Sequence, residues 1–302
     1  MAEENRKQTS DKKKKRKSNL STVILVLVLL MGLGIMAYPT VSDWWNSFHA
    51  TRAIVSYSRQ VDETDAAELA AMIQAAHDYN AGQLQKENPY AMTEENLAEY
   101  NSLLDLSGTG LMGYINIPTI NVNIPIYHST EESVLQIAVG HVNWTSLPVG
   151  GPGTHAVLSG HRGLPSARLF TDLDKITEGD RFTVTVLNQM ITYEVDQIRI
   201  VLPGDVSELV TVPGEDYCTL VTCTPYGVNT HRMLVRGHRV ANENGELVVQ
   251  AEAVMIPHYI TIPAIVIPLL FIFLVAALII TRRRRPRLTD RQVEDIDDID
   301  LK

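Results

Sequence analysis

Residues 219–237 read TLVTCTPYGVNTHRMLVRG and predict two β-strands joined by a turn. β-Branched and aromatic residues are concentrated in 217–222 and recur at the apolar positions of 233–240, which favours strands. Residues that mark turns lie between the two runs, namely Pro225, Gly227 and Asn229. The stretch is therefore predicted to be a β-hairpin.

The predicted hairpin places a thiol beside a guanidinium. If the strands pair antiparallel, Cys223 leaves the first strand close to the point where Arg232 enters the second. A nearby cation favours the thiolate, which is the nucleophilic form of cysteine. Arg232 also offers several N–H donors to a carbonyl oxygen that is becoming an oxyanion. The alternative interpretation is a buried structural cysteine beside a surface arginine.

The hairpin sequence resembles the active-site signature of sortases, the membrane-bound cysteine transpeptidases of Gram-positive bacteria. The form TLVTCTPYGVNTHR-x-LVRG looks like class C, the pilin-polymerising branch. LSGHRGLPSA at 158–167 is similar to the histidine motif of that branch, and GYINIP at 113–118 and PIYH at 125–128 are similar to its first strands. The resemblance covers roughly residues 76–240.

The strand pattern indicates an all-β fold. Runs of suitable composition predict strands at 113–117, 122–127, 154–159, 181–187, 190–200, 217–222 and 233–240. Many short strands joined by Gly/Pro turns indicate a β-sandwich or a barrel. The resemblance to sortases implies a closed, roughly eight-stranded antiparallel β-barrel. Short connecting helices are predicted at 131–139 and 168–173.

Acidic residues dominate the middle of the chain. The formal net charge is −9, and residues 19–280 carry 11 basic against 26 acidic residues, a net charge of −15. A nucleic-acid-binding protein needs a basic surface. No nucleic-acid partner is therefore expected.

Two apolar runs flank the acidic middle. Val23–Tyr38 follows the basic cluster at 12–17, and Ile260–Ile280 precedes Arg282–Arg285. About 20 apolar residues span a bilayer, and Lys and Arg collect on the cytoplasmic side. We predict a cell-membrane protein with both termini cytoplasmic and an extracellular catalytic domain. A cleaved signal peptide is the alternative for the first run, but Ala37–Thr40 makes a poor cleavage site.

These features divide the chain into seven predicted parts. They are a basic cytoplasmic tail (1–18), a transmembrane anchor (19–41), a helical stalk with a lid-like loop (42–110), the sortase β-barrel catalytic domain (111–241), a hinge (242–257), a transmembrane helix (258–281) and a cytoplasmic tail (282–302).

A possible lid precedes the barrel. Class C sortases carry a lid loop with an Asp-Pro-aromatic motif over the active site, and the matching residues here are Asn88, Pro89 and Tyr90. Because Asn88 stands where the motif has Asp, the ion pair with the catalytic Arg is unavailable. Tyr90 could still lie over Cys223. An ordinary proline turn between helices is the alternative.

The sequence contains nine histidines, and spacing alone does not choose among them. His231 directly precedes Arg232, so the two side chains point to opposite faces of a strand. His161 follows an apolar strand and lies in a Gly-flanked turn, and the resemblance selects it as the catalytic histidine. Structural roles are expected for His128, His141, His155 and His238.

The two cysteines offer little support for a metal site. The odd spacing of Cys218 and Cys223 points them to opposite faces of one strand. Cys218 is expected in the core and Cys223 in the site. A zinc site that also used His231 would lack a second cysteine pair of typical spacing. No metal or cofactor is expected.

The resemblance implies a transpeptidase that uses Cys223, His161 and Arg232. Such an enzyme cuts an LPxTG-like sorting signal between Thr and Gly through a cysteine thioester. Class C enzymes then transfer the acyl group to a pilin Lys amine, so the implied partners are pilins or surface proteins with a C-terminal signal. Three alternatives stay open: a housekeeping sortase that attaches proteins to peptidoglycan precursor, a thiol hydrolase, and a non-catalytic membrane-tethered β-domain for adhesion.

Overall fold

The computed structural model describes residues 2–83 and 92–242, together with Phe271. Within these residues, helices α1–α4 span Ala2–Glu63, Ala66–Gln83, Glu94–Ser102 and Glu132–Leu135. Strands β1–β8 span Leu111–Ile117, Val122–His128, Val139–His141, Thr154–Ser159, Arg181–Val186, Gln189–Val201, Asp216–Thr224 and His231–Val240.

The eight strands form a closed barrel in the order β1-β2-β3-β4-β7-β8-β6-β5. Its interior is filled by apolar side chains, among them Met112, Ile115, Ile126, Leu158, Phe182, Val184, Leu220 and Val235, each no more than 1% exposed. The predicted closed eight-stranded barrel is therefore confirmed. Closure also leaves the sheet without free edges.

The expectation of an antiparallel barrel is wrong at two of the pairings. Strand β2 pairs with β3 in parallel, and β4 pairs with β7 in parallel. Parallel neighbours need a crossover connection rather than a tight turn. Helix α4 provides the first crossover, and β5 and β6 lie within the second. The barrel is therefore mixed.

Strand β3 is absent from the sequence predictions because it is only three residues long. Its central residue, Gly140, lies so close to β2 that a Cβ atom there would be 2.2 Å from the carbonyl oxygen of Ser129. A glycine at this position allows the close approach of the two backbones.

The structure differs from both predictions of a connecting helix. Helix α4 ends at Leu135, and Val139 already belongs to β3. The segment 168–173 forms turns, and only Leu173–Lys175 adopts a 3₁₀-helix. The prediction of a helix over 168–173 is therefore wrong. Arg168 instead uses its backbone N–H to contact Asp43 of α1.

Helix α1 joins an apolar segment directly to the barrel. Its stretch Ile24–Glu63 contains an 18-residue window of mean hydropathy 2.3 that is entirely unburied. By length and composition, the helix can span a bilayer. Further along, Ile54, Tyr57 and Val61 are buried. The distal part of the predicted stalk is thus a brace packed on the domain.

Some predicted features lie outside the described residues. They are the lid residues Asn88, Pro89 and Tyr90, the predicted hinge beyond Asn242, and the predicted transmembrane helix and tail at 258–302, apart from Phe271.

Candidate active site

The β7–β8 hairpin brings Cys223 and Arg232 together. The two strands pair antiparallel, and these residues are direct partners in the ladder. One more pair, Thr224 with His231, follows before the strands separate. In the connecting turn the Pro225 carbonyl accepts hydrogen bonds from two backbone N–H groups, at 3.1 and 3.0 Å. The thiol and the guanidinium therefore lie at the open end of a rigid ladder.

The two cysteines occupy different environments on β7. Cys218 is fully buried in the barrel core, whereas Cys223 is partly exposed. Burial raises the pKa of the Cys218 thiol well above its ordinary value. A buried thiol of this kind stays protonated and unreactive. Of the two cysteines, Cys223 is the one that is accessible from the surface.

His161 follows the end of strand β4, at the same end of the barrel as Cys223. In the parallel β4–β7 ladder Ser159 is the partner of Val221. His161 follows Ser159 by two residues, as Cys223 follows Val221, so both lie beyond this last pair at the same end of the ladder. The register is locked just before His161, because Gly160 donates its N–H to the Val221 carbonyl at 3.0 Å.

Two further hydrogen bonds hold the backbone around His161. The Thr222 hydroxyl donates to the Gly160 carbonyl at 2.8 Å, and the Phe170 N–H donates to the His161 carbonyl at 3.1 Å. Thr222 directly precedes Cys223, so it links the histidine segment to the cysteine strand. The segment bearing the imidazole is therefore fixed relative to β7.

The imidazole of His161 contacts a carboxylate that the sequence analysis did not select. Its Nε2 lies 3.3 Å from Oε2 of Glu132, at the start of α4. The Gln136 amide hydrogen-bonds to the same carboxylate, and Gln136 and then His161 lower the pKa of Glu132. Glu132 is 29 residues from His161 in the chain, so no local motif reveals the contact.

Arg232 has no acidic partner within the part of the chain that the structure describes. Its Nη1 donates to the backbone carbonyls of Asn229 and His231, at 3.3 and 3.2 Å. Among the described residues, no carboxylate forms an ion pair with it, and no hydrogen bond joins the Cys223 thiol to His161 or Arg232. In free enzymes such catalytic contacts are often long and tighten when substrate binds.

Comparison with known proteins identifies this arrangement. The sortase domain family model matches residues 115–240. The crystal structure of sortase C1 from Streptococcus agalactiae is 53% identical, with a TM-score of 0.62, and the match covers 64% of this chain and 100% of that one. The chain belongs to the sortase family. A second solved structure, sortase C from Streptococcus pneumoniae, is 38% identical with a TM-score of 0.56, and the match covers 65% of this chain and all of that one.

The similarity to solved structures confirms the resemblance of this sortase to class C. Among curated relatives, sortase A from S. agalactiae serotype III is 29% identical over 148 residues, which cover 48% of this chain and 58% of the relative. The first curated relatives are matched over only about three fifths of their length, 58%, 61% and 63%.

Three other histidines of this sortase are part of its structural framework. His141 is fully buried, and its ring nitrogens contact the Tyr100 hydroxyl at 2.9 Å and the Ser146 carbonyl at 2.8 Å. Burial lowers the pKa of His141 to about 4. His155 bonds to the Val210 carbonyl, and burial lowers its pKa too. His128 lies between two backbone carbonyls, each 2.9 Å from a ring nitrogen.

The loops that follow the histidine and the cysteine of this sortase contact each other. The guanidinium of Arg162 lies 5.7 Å from the ring centroid of Tyr226. Gly163 packs against the same ring, because a Cβ atom there would be 2.9 Å from it. Arg162 also pairs with Asp174. These contacts form a wall beside the site that the sequence analysis did not foresee.

An exposed apolar rim borders the site on its other side. Val201, at the end of β6, is the ladder partner of Arg232. Its neighbours Ile200 and Leu202 are 64% and 63% exposed. This rim offers apolar surface to a ligand that reaches Arg232.

Proposed function

We propose that this sortase is a cysteine transpeptidase in which Cys223 is the nucleophile, His161 the acid and base, and Arg232 the oxyanion donor. The observation that supports the proposal is the register: Cys223 faces Arg232 directly across the β7–β8 ladder, and His161 follows the end of β4, which pairs with β7 up to Ser159 and Val221. Strands β7 and β8 and the segment that follows β4 would thus supply the three chemical functions that acyl transfer requires.

The first half-reaction forms a thioester. The Cys223 thiolate attacks the carbonyl carbon of Thr in an LPxTG-like signal, and the guanidinium of Arg232 donates hydrogen bonds to the oxygen as its charge develops. The C–N bond to Gly then breaks. Protonated His161 gives its proton to the leaving amine. The acyl group stays on sulfur while the C-terminal fragment departs.

The second half-reaction transfers the acyl group to an incoming amine. Neutral His161 takes a proton from the amine as its nitrogen attacks the thioester carbon. The new C–N bond forms, the C–S bond breaks, and Cys223 is released as thiolate. Covalent catalysis of this kind divides one difficult substitution into two easier steps.

We further propose that the acceptor is the Lys side chain of a pilin subunit. The support comes from the class C relatives, since the S. pneumoniae sortase C is described in terms of pilin substrate specificity. The exposed apolar rim at Ile200 and Leu202 fits the Leu and Pro of the signal. The product would be a ladder of pilins joined by isopeptide bonds.

We also propose that α1 anchors the enzyme in the cell membrane with the barrel outside. The support is the unburied apolar window that starts at Ile24 and the basic cluster at 12–17 before it. Lys and Arg on the cytoplasmic flank set this orientation. The second predicted span, at 258–281, stays a prediction.

A reconstitution experiment tests the function. The full-length chain in vesicles is mixed with a pilin that ends in a sorting signal, and the products are separated on a denaturing gel. We expect a covalent ladder from the parent chain and from Cys218→Ala, which removes only the buried thiol, and no ladder from Cys223→Ala. A ladder from Cys223→Ala would refute the proposal. Single pilins joined to added peptidoglycan precursor, without a ladder, would indicate a housekeeping sortase instead.

A further inference from the structure

Helix α1 continues through Pro39 from its apolar segment into contact with the barrel. The exposed apolar residues extend to Val41, and Asp43 and Asn46 follow within the next two turns. Each residue of an α-helix adds about 1.5 Å along the helix axis. The position of each contact residue on α1 therefore gives the distance, along the helix axis, between the apolar segment and the part of the barrel that is contacted.

The first contacts beyond the apolar segment involve the connection between β4 and β5. Asp43 accepts a hydrogen bond from the Arg168 N–H at 2.8 Å through its Oδ1. The Asn46 amide donates to the Ser166 carbonyl, also at 2.8 Å. This connection begins directly after β4 and carries His161. The histidine segment is thus attached to the anchor end of α1.

Aromatic side chains mark the same level of the helix. Trp44 and Trp45 are 36% and 55% exposed. Trp side chains are enriched where a membrane meets water, because the ring is apolar and its N–H stays hydrated. The part of α1 that binds the β4–β5 connection, at Asp43 and Asn46, thus has the composition typical of a membrane–water boundary.

Another part of the barrel contacts α1 much farther from the apolar segment. The Tyr57 hydroxyl donates to the Met112 carbonyl at 2.6 Å and accepts from the Leu187 N–H at 2.8 Å. Tyr57 follows Asp43 by 14 residues, which corresponds to about 21 Å along a helix. Leu187 lies in the turn between β5 and β6.

The path of β6 shows which end of the barrel is far from the membrane. This strand starts at Gln189, beside the Leu187 turn, and ends at Val201, which pairs with Arg232. The catalytic groups and the Tyr57 contact thus lie at opposite ends of one 13-residue strand. The contacts of Asp43 and Asn46 and the contacts of Tyr57 therefore agree: the catalytic end of the barrel lies nearer to the apolar segment of α1.

We propose that the catalytic mouth of the barrel faces the lipid bilayer, with segment 163–168 at the level of the headgroups. The partner of this surface is a phospholipid membrane. The inference rests on the proposed anchoring by α1, and it adds an orientation that the enzymatic function does not require. A sorting signal must then enter the site from the membrane side, so a substrate held close to the bilayer is favoured over one held far from it.

Fluorescence quenching measures this orientation directly. Pro165 and Asn188 are both exposed, and Asn188 lies in the turn beside Tyr57. Each is replaced by Cys in the full-length Cys223→Ala chain, whose other thiol, Cys218, is buried. The variants are labelled with a fluorophore and reconstituted into phosphatidylcholine–phosphatidylglycerol vesicles that carry a headgroup nitroxide in both leaflets. Arg168→Cys is a second reporter for the near side.

The expected result is strong quenching of the labels at 165 and 168 and almost none at 188. Equal quenching at both ends, no quenching at either, or stronger quenching at 188 would each overturn the inference. Flotation of the vesicles separates the two proposals: a chain that does not float with lipid refutes the anchoring, whereas a floating chain with unquenched near-side labels refutes only the orientation. The variants lack the nucleophile, so the outcome does not depend on catalysis.

Discussion

Cys223 and Arg232 are direct partners in the β7–β8 ladder, one pair before the strands separate. A side chain on a paired strand is held more rigidly than one on a loop. The guanidinium is therefore preorganised beside the sulfur, and its charge is not cancelled by a carboxylate among the described residues. This relationship leads to the first prediction.

Replacement of Arg232 by Lys should lower kcat by about 10²–10³, the range for loss of an oxyanion donor. Lys keeps the charge but not the planar array of donors. The measurement is the rate of cleavage of a fluorescent sorting-signal peptide. Arg239→Lys is the matched control, because this exposed arginine on the same strand pairs with Asp216 far from the site. Full activity in Arg232→Lys would rule out the oxyanion role.

Glu132 should act as a positioning residue for His161. The Glu132→Gln variant keeps the shape but weakens the ion pair, so kcat should fall by no more than about fivefold, since exposed pairs contribute little. The neighbouring Glu131→Gln, which has no contact with the imidazole, should leave kcat unchanged. The readout is kcat and KM for the same peptide. A raised KM with unchanged kcat would contradict a role through His161.

The buried histidines should make stability depend on pH. Burial lowers the pKa of His141 to about 4, below its ordinary value of 6.5. The unfolded chain therefore binds more protons than the folded chain between these values, and stability is lost as pH falls from 6.5 towards 4. The loss attributable to this group is up to about 3 kcal/mol.

Thermal unfolding across this pH range measures the effect. Tm should fall as the pH is lowered, and His141→Gln should show a flatter dependence from a lower starting Tm, because it also loses the contacts with Tyr100 and Ser146. The exposed His49 serves as the control, since His49→Gln should keep the parent slope. If Tm of His141→Gln depends on pH as steeply as Tm of the parent chain, this account is contradicted.

The short strand β3 should tolerate no side chain at its centre. Gly140→Ala would place a Cβ atom 2.2 Å from the Ser129 carbonyl, so the β2 and β3 backbones must separate. Overpacking of this kind costs about 1–3 kcal/mol or more. Gly204→Ala is the control, because a Cβ atom there meets nothing within 4 Å. Chemical denaturation of both variants compares them, and equal stability would show that the backbone at 140 has room to move.

The sequence was most informative where contacts are local. Cys223 and Arg232 are nine residues apart, so turn residues and strand composition were enough to predict their pairing. The parallel neighbours β4 and β7 are separated by two other strands, and no local pattern indicates that they meet. The antiparallel expectation failed for this reason. The resemblance, rather than spacing, selected His161.

Two further features were not predictable because they depend on tertiary contacts. The contact of Glu132 with His161 exists only after α4 folds back beside the end of β4. Similarly, the attachment of Asp43 to Arg168 spans 125 residues of sequence. Strand β3 was not predicted either, because three residues with a central glycine do not form a recognisable strand pattern.

The acyl-enzyme itself provides the most direct test of the central claim, that Cys223 carries the substrate between the two half-reactions. The full-length chain is incubated with a sorting-signal peptide in the absence of an acceptor amine, quenched in acid and examined by intact mass spectrometry and peptide mapping. We predict a mass increase equal to the peptide up to Thr less one water, located on Cys223, lost on addition of hydroxylamine and absent in Cys223→Ala. An adduct on another residue, or cleavage that continues in Cys223→Ala, would contradict the account.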